Sequence, residues 1–151
     1  MAATFASDLL QSAQLYRTVF DERLEAIGLT SESYVLLQAA ADWNGRPWRF
    51  LLEWPATPSR KANSAILREF IALEWLEKAA APDGSPGAQI GMLEAGMAKL
   101  EEAMAIERRL AAEVLVGTQP EGLSALAAVF ATMQENLGSI RQASDASDDE
   151  A

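Results

Sequence analysis

One stretch of this sequence, residues 57–78 (TPSRKANSAILREFIALEWLEK), limits the fold more than any other. Its apolar residues recur three or four positions apart, which places them on one face of an α-helix. The helix is expected to begin at Thr57, which can cap the first free amides, and Pro58, whose φ is preset for a first turn. The apolar face comprises Ala62, Ala65, Ile66, Phe70, Leu73 and Leu76.

The opposite face of this predicted helix is polar and begins with basic residues. Side chains of this kind bind phosphates and base edges in a nucleic-acid groove, with the positive end of the helix dipole nearest the phosphates. The alternative is a partly buried surface helix whose polar face is only solvated. The polar face comprises Ser59, Arg60, Lys61, Asn63, Ser64 and Arg68.

The residue types that are missing exclude most enzyme chemistry. The chain of 151 residues contains no cysteine and no histidine, so it has no thiolate nucleophile, no imidazole base and no ordinary zinc site. Adjacent acids such as Glu101 and Glu102 are interpreted as solubilising charge on a helix face. Half of the residues are hydrophobic, which suffices for a core without disulfides. We therefore expect a globular protein that is not an enzyme and has no cofactor or metal.

Positive charge is concentrated in one part of an acidic chain. The net charge is −10, yet residues 45–78 hold six of the 12 basic residues and only four acidic ones, a local charge of +2. The remainder of the chain carries −12. That charge opposes polyanion binding over the whole surface and leaves residues 45–78 as the segment suited to it.

The two ends of the chain indicate where the protein acts. No apolar run approaches the roughly 20 residues that span a bilayer, and the N-terminus lacks the basic and apolar regions of a secretory signal. A cytoplasmic protein with no membrane partner is expected. Residues 142–151 contain four acids, no base and few apolar groups, which predicts a disordered acidic tail.

Turn-forming residues divide the rest of the chain into helices and one hairpin. Apolar residues at helical spacing predict helices over about 4–27, 31–43, 48–54, 93–116 and 121–137, and Gly138 is expected to end the last of them. Segments 75–80 and 88–92 flank the turn formers APDGSPG and are predicted to pair as a hairpin. Two short helices that meet at a tight turn indicate a helix-turn-helix. The predicted fold class is mainly α with a small two-stranded β-wing.

Three short motifs follow one another in this order of elements. Residues 28–30 (GLT) lead into 34–37 (YVLL), residues 74–78 read EWLEK, and residues 90–96 read IGMLEAG. They are similar to the motifs LT…Q(F/Y)xVL, GLVER and VxLTxxG of the multiple-antibiotic-resistance regulator (MarR) family, and Lys78 and Ile90 are 12 positions apart, as in that family. The chain thus resembles dimeric winged-helix repressors over residues 5–137.

The resemblance implies a homodimer that binds pseudo-palindromic double-stranded DNA with two copies of the 57–78 helix. It implies one domain over 1–141, with a winged helix over about 31–92 and dimerisation helices over about 4–27, 93–116 and 121–137. Phosphate contacts are expected from Arg60 and Lys61. Contacts to base edges are expected from Ser59, Asn63, Ser64 and Arg68. Arg46 and Arg49 are expected to supply further positive charge.

Several positions depart from the family pattern and keep a second hypothesis open. The family wing usually carries an Asp-Arg-Arg run, whereas the aligned tip here, residues 83–86, reads DGSP and has no cation. Ala65 stands where the recognition helix of the family usually has a further arginine. Glu74 replaces a glycine, and Leu93 replaces a capping threonine. The alternative to a DNA-binding regulator is therefore a member that keeps the fold and dimer but acts as a protein-interaction partner or ligand sensor.

The four tryptophans, at positions 43, 48, 54 and 75, cluster around the predicted helix-turn-helix. One interpretation is that they pack the core and the hinge. The other is an aromatic-lined effector pocket, because the family resemblance implies a cleft that binds small phenolic or aromatic acids. In that case the walls and the anion contact are expected to be Tyr16, Trp43, Trp48 and Arg49.

Overall fold

The computed structural model describes residues 4–55 and 57–148 and contains six helices and one hairpin in that part of the chain. The predicted fold class, mainly α with a two-stranded antiparallel sheet, is confirmed. The chain divides into two compact units, residues 1–111 and 112–151. The elements are α1 (Phe5–Glu25), α2 (Ser31–Asp42), α3 (Arg49–Leu52), α4 (Arg60–Ala72), β1 (Leu76–Ala80), β2 (Ala88–Met92), α5 (Glu94–Val114) and α6 (Pro120–Asp148).

Side-chain caps fix where the first two helices begin. The Thr4 hydroxyl accepts a hydrogen bond from the Ser7 amide at 3.2 Å and caps α1. Thr30 and Ser33 form a reciprocal capping box at the start of α2, with distances of 3.2 and 2.7 Å. The Asp21 carboxylate accepts a further amide hydrogen bond from Ser31 at 2.6 Å and thereby ties α1 to α2.

The core of the first unit joins its helices to the hairpin. Phe20 of α1 lies edge-on to Tyr34 of α2 at 5.2 Å between ring centroids. Tryptophans serve mainly in packing, because Trp48 is buried and the other three are half-buried against the core. The largest fully buried side chains include Phe70, Leu24, Leu36, Leu37, Leu51, Leu67, Leu76, Ile90 and Leu110.

The helix predicted over 57–78 is shorter at both ends. Ser59 caps it, because its hydroxyl accepts the Ala62 amide at 3.1 Å, whereas the Thr57 hydroxyl bonds to the Asn63 side chain instead. Its helical segment, α4, ends at Ala72. Leu76, expected on the apolar helix face, is buried as the first residue of β1.

The end of α4 is a Schellman turn with an unusual residue. Glu74 has φ 57°, its amide donates to the Ile71 carbonyl at 3.1 Å, and the Trp75 amide donates to the Phe70 carbonyl at 2.9 Å. The same pattern of bonds ends α1, where the left-handed position is occupied by Gly28 with φ 77°. Glutamate therefore occupies a conformation that favours glycine.

The hairpin is the predicted wing, and an unpredicted third segment joins it. β1 and β2 pair antiparallel from Leu76 opposite Met92 to Ala80 opposite Ala88. The segment between α2 and α3 runs beside β2, with backbone hydrogen bonds at both sides of Arg46 and an isolated bridge between Pro47 and Gln89. The wing is thereby anchored directly to the helix-turn-helix.

The last helix is longer than predicted. It begins at Pro120 and continues through Gly138 to Asp148, so residues 142–148 are helical where a disordered tail was expected, and residues 149–151 lie outside the described part. One glycine costs a helix only about 1 kcal/mol relative to alanine, too little to end a long one. Among the described residues, no helix combines the length and apolarity needed to cross a membrane.

Candidate nucleic-acid interface and ligand cavity

A buried asparagine holds the turn of the helix-turn-helix. Asn63 is only 1% exposed, and its amide nitrogen lies 3.1, 3.0 and 3.1 Å from the carbonyl oxygens of Leu51, Leu52 and Trp54. These carbonyls belong to the end of α3 and the turn that follows, so Asn63 fixes the position of α4 against α3. The prediction that Asn63 reaches a base edge is wrong, because its side chain points into the protein and is used there.

The exposed face of α4 carries the predicted cations. Arg60, Lys61 and Arg68 are all exposed, and the Arg68 Nε lies along the helix, 3.4 Å from the Ser64 carbonyl oxygen. Ser64 itself is half-buried, and Ser59 is exposed with its hydroxyl used as the helix cap. Of the six polar residues predicted on this face, the three cations are therefore the side chains that remain exposed and free of a capping or core role.

A small hollow beside α4 contains a cation that was absent from the predicted site. The Lys78 ammonium, at the base of the wing, lies 5.3 Å from the centroid of the Trp48 ring. With Arg68 and Ser64 it lines a hollow of about 120 Å³. Lys78 is the basic end of the motif at 74–78 in the sequence. It lies beside α4 because the chain turns at Glu74.

The other two predicted cations lie outside α4. Arg46 is exposed in the segment that runs beside β2, and the Ile90 amide donates to its carbonyl at 2.9 Å. Arg49 opens α3, and its guanidinium lies 5.7 Å from the centroid of the Phe50 ring. Both are exposed, so both remain available to an anionic partner.

The tip of the wing is negative. The Asp83 carboxylate accepts hydrogen bonds from the Ser85 hydroxyl at 2.5 Å and from the Ser85 amide at 3.0 Å. These bonds, the one from the hydroxyl first, hold the pKa of Asp83 below its ordinary value of 3.8, so the carboxylate stays charged at neutral pH. A phosphate backbone would be repelled by this tip.

A larger cavity lies within the first unit, between α1, α2 and α5. Its volume is about 510 Å³, within the range of small-molecule sites. One wall is a ladder of three rings, in which Tyr16 and Phe20 are 5.7 Å apart and Phe20 and Tyr34 5.2 Å apart between centroids. The lining is completed by Arg17, Ser31, Glu32, Val35, Gln38, Met104 and Glu107.

Charges around this cavity are mostly negative. Arg17 forms an ion pair with Glu32, so its guanidinium is already engaged. Burial, and after it the Glu107 carboxylate, raises the pKa of both Tyr16 and Tyr34. In the described part of the chain, no group of three or more acidic side chains could hold a metal ion.

The predicted effector pocket is only partly assembled. Tyr16 lines the cavity, but Trp43, Trp48 and Arg49 do not. Trp43 instead packs against Phe50 and Trp54 at 5.3 and 6.0 Å between centroids. The structure therefore assigns Trp43 and Trp48 to packing around the helix-turn-helix. Tyr34 and Glu107 were missed because the approach of α5 to α1 and α2 leaves no local pattern in the sequence.

Comparison with known proteins gives matches at the level of structure alone. No protein-family model and no curated protein matches the sequence. A MarR-family protein of Mycobacterium tuberculosis in complex with salicylic acid superposes with a TM-score of 0.68; it is 20% identical, and the match covers 90% of this chain and 97% of that one. The MepR–DNA complex of S. aureus superposes with a TM-score of 0.72 at 15% identity, covering 89% and 96%.

A third similar structure is that of BpsR from Bordetella bronchiseptica, whose DNA binding is regulated by 6-hydroxynicotinic acid. Its TM-score is 0.73 at 16% identity, covering 87% of this chain and 93% of that one. In all three, nearly the whole of both chains is matched. The fold resemblance predicted from the three motifs is thereby confirmed. The chain has the winged helix-turn-helix fold of the MarR-family transcriptional regulators.

Proposed function

We propose that this protein is a homodimeric transcriptional regulator that binds pseudo-palindromic double-stranded DNA through α4. The observation that carries this proposal is the exposed cationic face of α4, which presents Arg60, Lys61 and Arg68. Asn63 fixes this helix against α3 within the helix-turn-helix. A helix presented in this way suits the major groove. That a similar fold was solved in complex with DNA supports the proposal. The protein would act in the cytoplasm, without a membrane partner.

The cations divide by their place on the helix. Arg60 and Lys61 lie in the first turn of α4, where the helix dipole favours phosphates. Arg68 lies two turns further on, where a side chain can reach a base edge. Ser59 and Ser64 flank these contacts, while Arg46 and Arg49 would bind phosphates beside them.

Dimerisation would cover apolar side chains that the single chain leaves exposed. On α1, Phe5 is 70% and Leu10 69% exposed, and on α6, Phe130 is 45% and Leu137 59% exposed. Large apolar groups in such number mark an interface. In the proposed dimer, residues 1–141 act as one domain, to which the predicted dimerisation helices over 4–27, 93–116 and 121–137 contribute.

Sedimentation tests the dimer. The wild type should be a dimer at micromolar concentration. Phe130→Asp should be a monomer or fail to fold, because the dimer would bury an unpaired charge. Thr132→Asp adds the same charge at another exposed position of α6 and is the matched control. A monomeric wild type would overturn this part of the proposal.

A small aromatic molecule in the cavity between α1, α2 and α5 is proposed to modulate DNA binding. Support comes from the ring ladder of Tyr16, Phe20 and Tyr34 and from the volume of about 510 Å³. The cavity includes residues of α2, which belongs to the winged helix, and of α1 and α5, which carry predicted dimerisation surface. A ligand there would change how the recognition helices are spaced.

The negative wing tip favours a second candidate function. Because the wing tip carries the charged Asp83 and no cation at the point where a wing meets the minor groove, the protein could retain the fold and act as a protein-interaction partner without binding DNA. The same candidate was left open by the sequence. This candidate predicts that the protein prefers no DNA sequence, whereas a DNA-binding regulator would prefer one.

Titration against DNA decides between the two candidates. At about 50 mM salt, where charges are least screened, the wild type should bind the DNA upstream of its own reading frame more tightly than shuffled DNA. Ser85→Arg should strengthen binding by adding a cation at the wing tip, whereas Ser124→Arg, which adds one on α6, should not. If neither the wild type nor Ser85→Arg binds, the protein-interaction candidate is the better one.

A further inference from the structure

The charge of the cavity between α1, α2 and α5 differs from what an aromatic acid needs. One arginine and two glutamates line it, so the lining has a net charge of −1. Its only lining cation, Arg17, is paired with Glu32. An incoming carboxylate would have to break that pair before it found a partner.

The second glutamate has no such partner. Glu107 is half-buried, and no ion pair to it is formed within residues 4–55 and 57–148. Its field reaches both tyrosine hydroxyls, since after burial it is the main cause that raises the pKa of Tyr16 and of Tyr34. On Tyr34, Arg108 acts in the opposite direction and Asp42 in the same one, both less strongly than Glu107.

We propose that this cavity binds an aromatic cation, such as an aryl amine carrying an ammonium group, in preference to an aromatic acid of the same size. The ammonium would bind the Glu107 carboxylate and face the electron-rich rings of Tyr16 and Tyr34, while the aromatic part would pack on Phe20 and Met104. This inference rests on the proposed effector role of the cavity and names the chemical class of the effector.

Three matched probes test the charge preference: naphthylmethylamine, naphthylmethanol and naphthoate, all substituted at the same ring carbon. Calorimetric titration of the full chain should give the tightest binding for the amine and the weakest for the acid. We expect the amine to bind about tenfold more tightly than the acid, because the Glu107 carboxylate attracts the ammonium and repels the carboxylate, each by about threefold. Equal affinities, or a preference for the acid, would overturn the inference while leaving the cavity as a binding site.

Substitution of the glutamate locates the effect. Glu107→Gln should reduce the ratio of amine to acid affinity about fivefold or more and leave the affinity of the neutral alcohol almost unchanged. Glu101→Gln, an exposed position on the same helix outside the cavity, removes the same charge and should keep the wild-type ratio. An equal loss in both variants would assign the preference to the overall acidity of the chain and contradict the inference.

The outcome is separable from the DNA-binding proposal. If none of the three probes binds, both the effector role and this inference fail, whereas DNA binding is measured without any ligand and stands or falls by itself. If the amine binds as expected, its addition to the protein–DNA complex shows whether the cavity is coupled to DNA binding. The coupling is measured as the ratio of DNA affinities with and without saturating amine.

Discussion

Replacing Asn63 by alanine should lower the free energy of unfolding by about 2–4 kcal/mol. The side chain is 1% exposed, and three carbonyl oxygens lie 3.0–3.1 Å from its amide nitrogen. An amide carries two N–H groups, so the variant loses two donors that are shared among the buried carbonyl of Leu51 and the partly buried carbonyls of Leu52 and Trp54. Each buried carbonyl left without a donor costs about 1–3 kcal/mol, and part of that is recovered when the structure relaxes.

Urea unfolding followed by circular dichroism measures this change. Ser64→Ala is the matched control, because Ser64 is the half-buried neighbour in the same helix and should change stability by no more than about 0.5 kcal/mol. Asn63→Asp keeps the shape of the side chain but presents an acceptor to three carbonyl oxygens. It should therefore destabilise at least as much as alanine.

DNA binding separates this role from the one expected from the sequence. If Asn63 positions α4, the alanine variant should weaken binding to all sequences alike. If Asn63 instead reads a base, the variant should keep the wild-type stability and lose preference at one base pair. That second result would refute the structural role given to Asn63.

Three further predictions concern stability and ionisation. Glu74→Gly should raise the free energy of unfolding by about 0.5–1 kcal/mol, because it relieves the left-handed conformation. Glu74→Ala should raise the free energy of unfolding by a smaller amount in the same denaturant assay. Equal gains in stability would show that charge, not backbone strain, is responsible. Gly96→Ala should destabilise the protein by about 1–3 kcal/mol, because the added β-carbon would lie 2.3 Å from the Trp75 carbonyl oxygen. Gly138→Ala, which has open space around it, should stabilise the protein. Thermal unfolding measures both changes, and a change of stability in the same direction for the two variants would contradict this prediction. The two tyrosines should ionise above pH 10.0 in the folded protein, so stability should fall as the pH rises past that value. In Glu107→Gln, absorbance at alkaline pH should show a lower midpoint of tyrosine ionisation than in the wild type. An unchanged midpoint would remove Glu107 as a cause of the raised pKa.

Periodicity and turn chemistry predicted the order of elements and most of their bounds. The apolar spacing over residues 31–43 predicted α2, and the turn formers between Ala80 and Ala88 predicted the hairpin, because both effects act over a few residues. The same local logic failed at Gly138, where the cost of one glycine is spread over a helix of 29 residues. The start of α4 also moved by two residues, since Ser59 and Thr57 both suit a cap and only the structure decides between them.

The candidate site was harder to predict because its residues meet through packing. Asn63 was placed on the polar face by its chemistry, but the buried face of α4 follows Asn63, Leu67 and Phe70, and an amide is accepted there only because α3 presents carbonyls to it. In the cavity, Tyr16 was expected, whereas Glu107 comes from a helix some 90 residues later in the chain. No local pattern reports such a meeting.

The salt dependence of DNA affinity decides whether the cations of α4 bind phosphates. Arg60→Ala combined with Lys61→Ala removes two cations per subunit, so a dimer would lose four contacts and its salt slope should fall by about four units. The matched control is Arg109→Ala with Arg141→Ala, which removes the same charge from exposed positions on α5 and α6. A titration of all three proteins from about 50 to 200 mM salt should therefore show a flattened slope for the α4 variant alone. Equal slopes for the two double variants, or no DNA binding by the wild type, would contradict a DNA-binding role for α4.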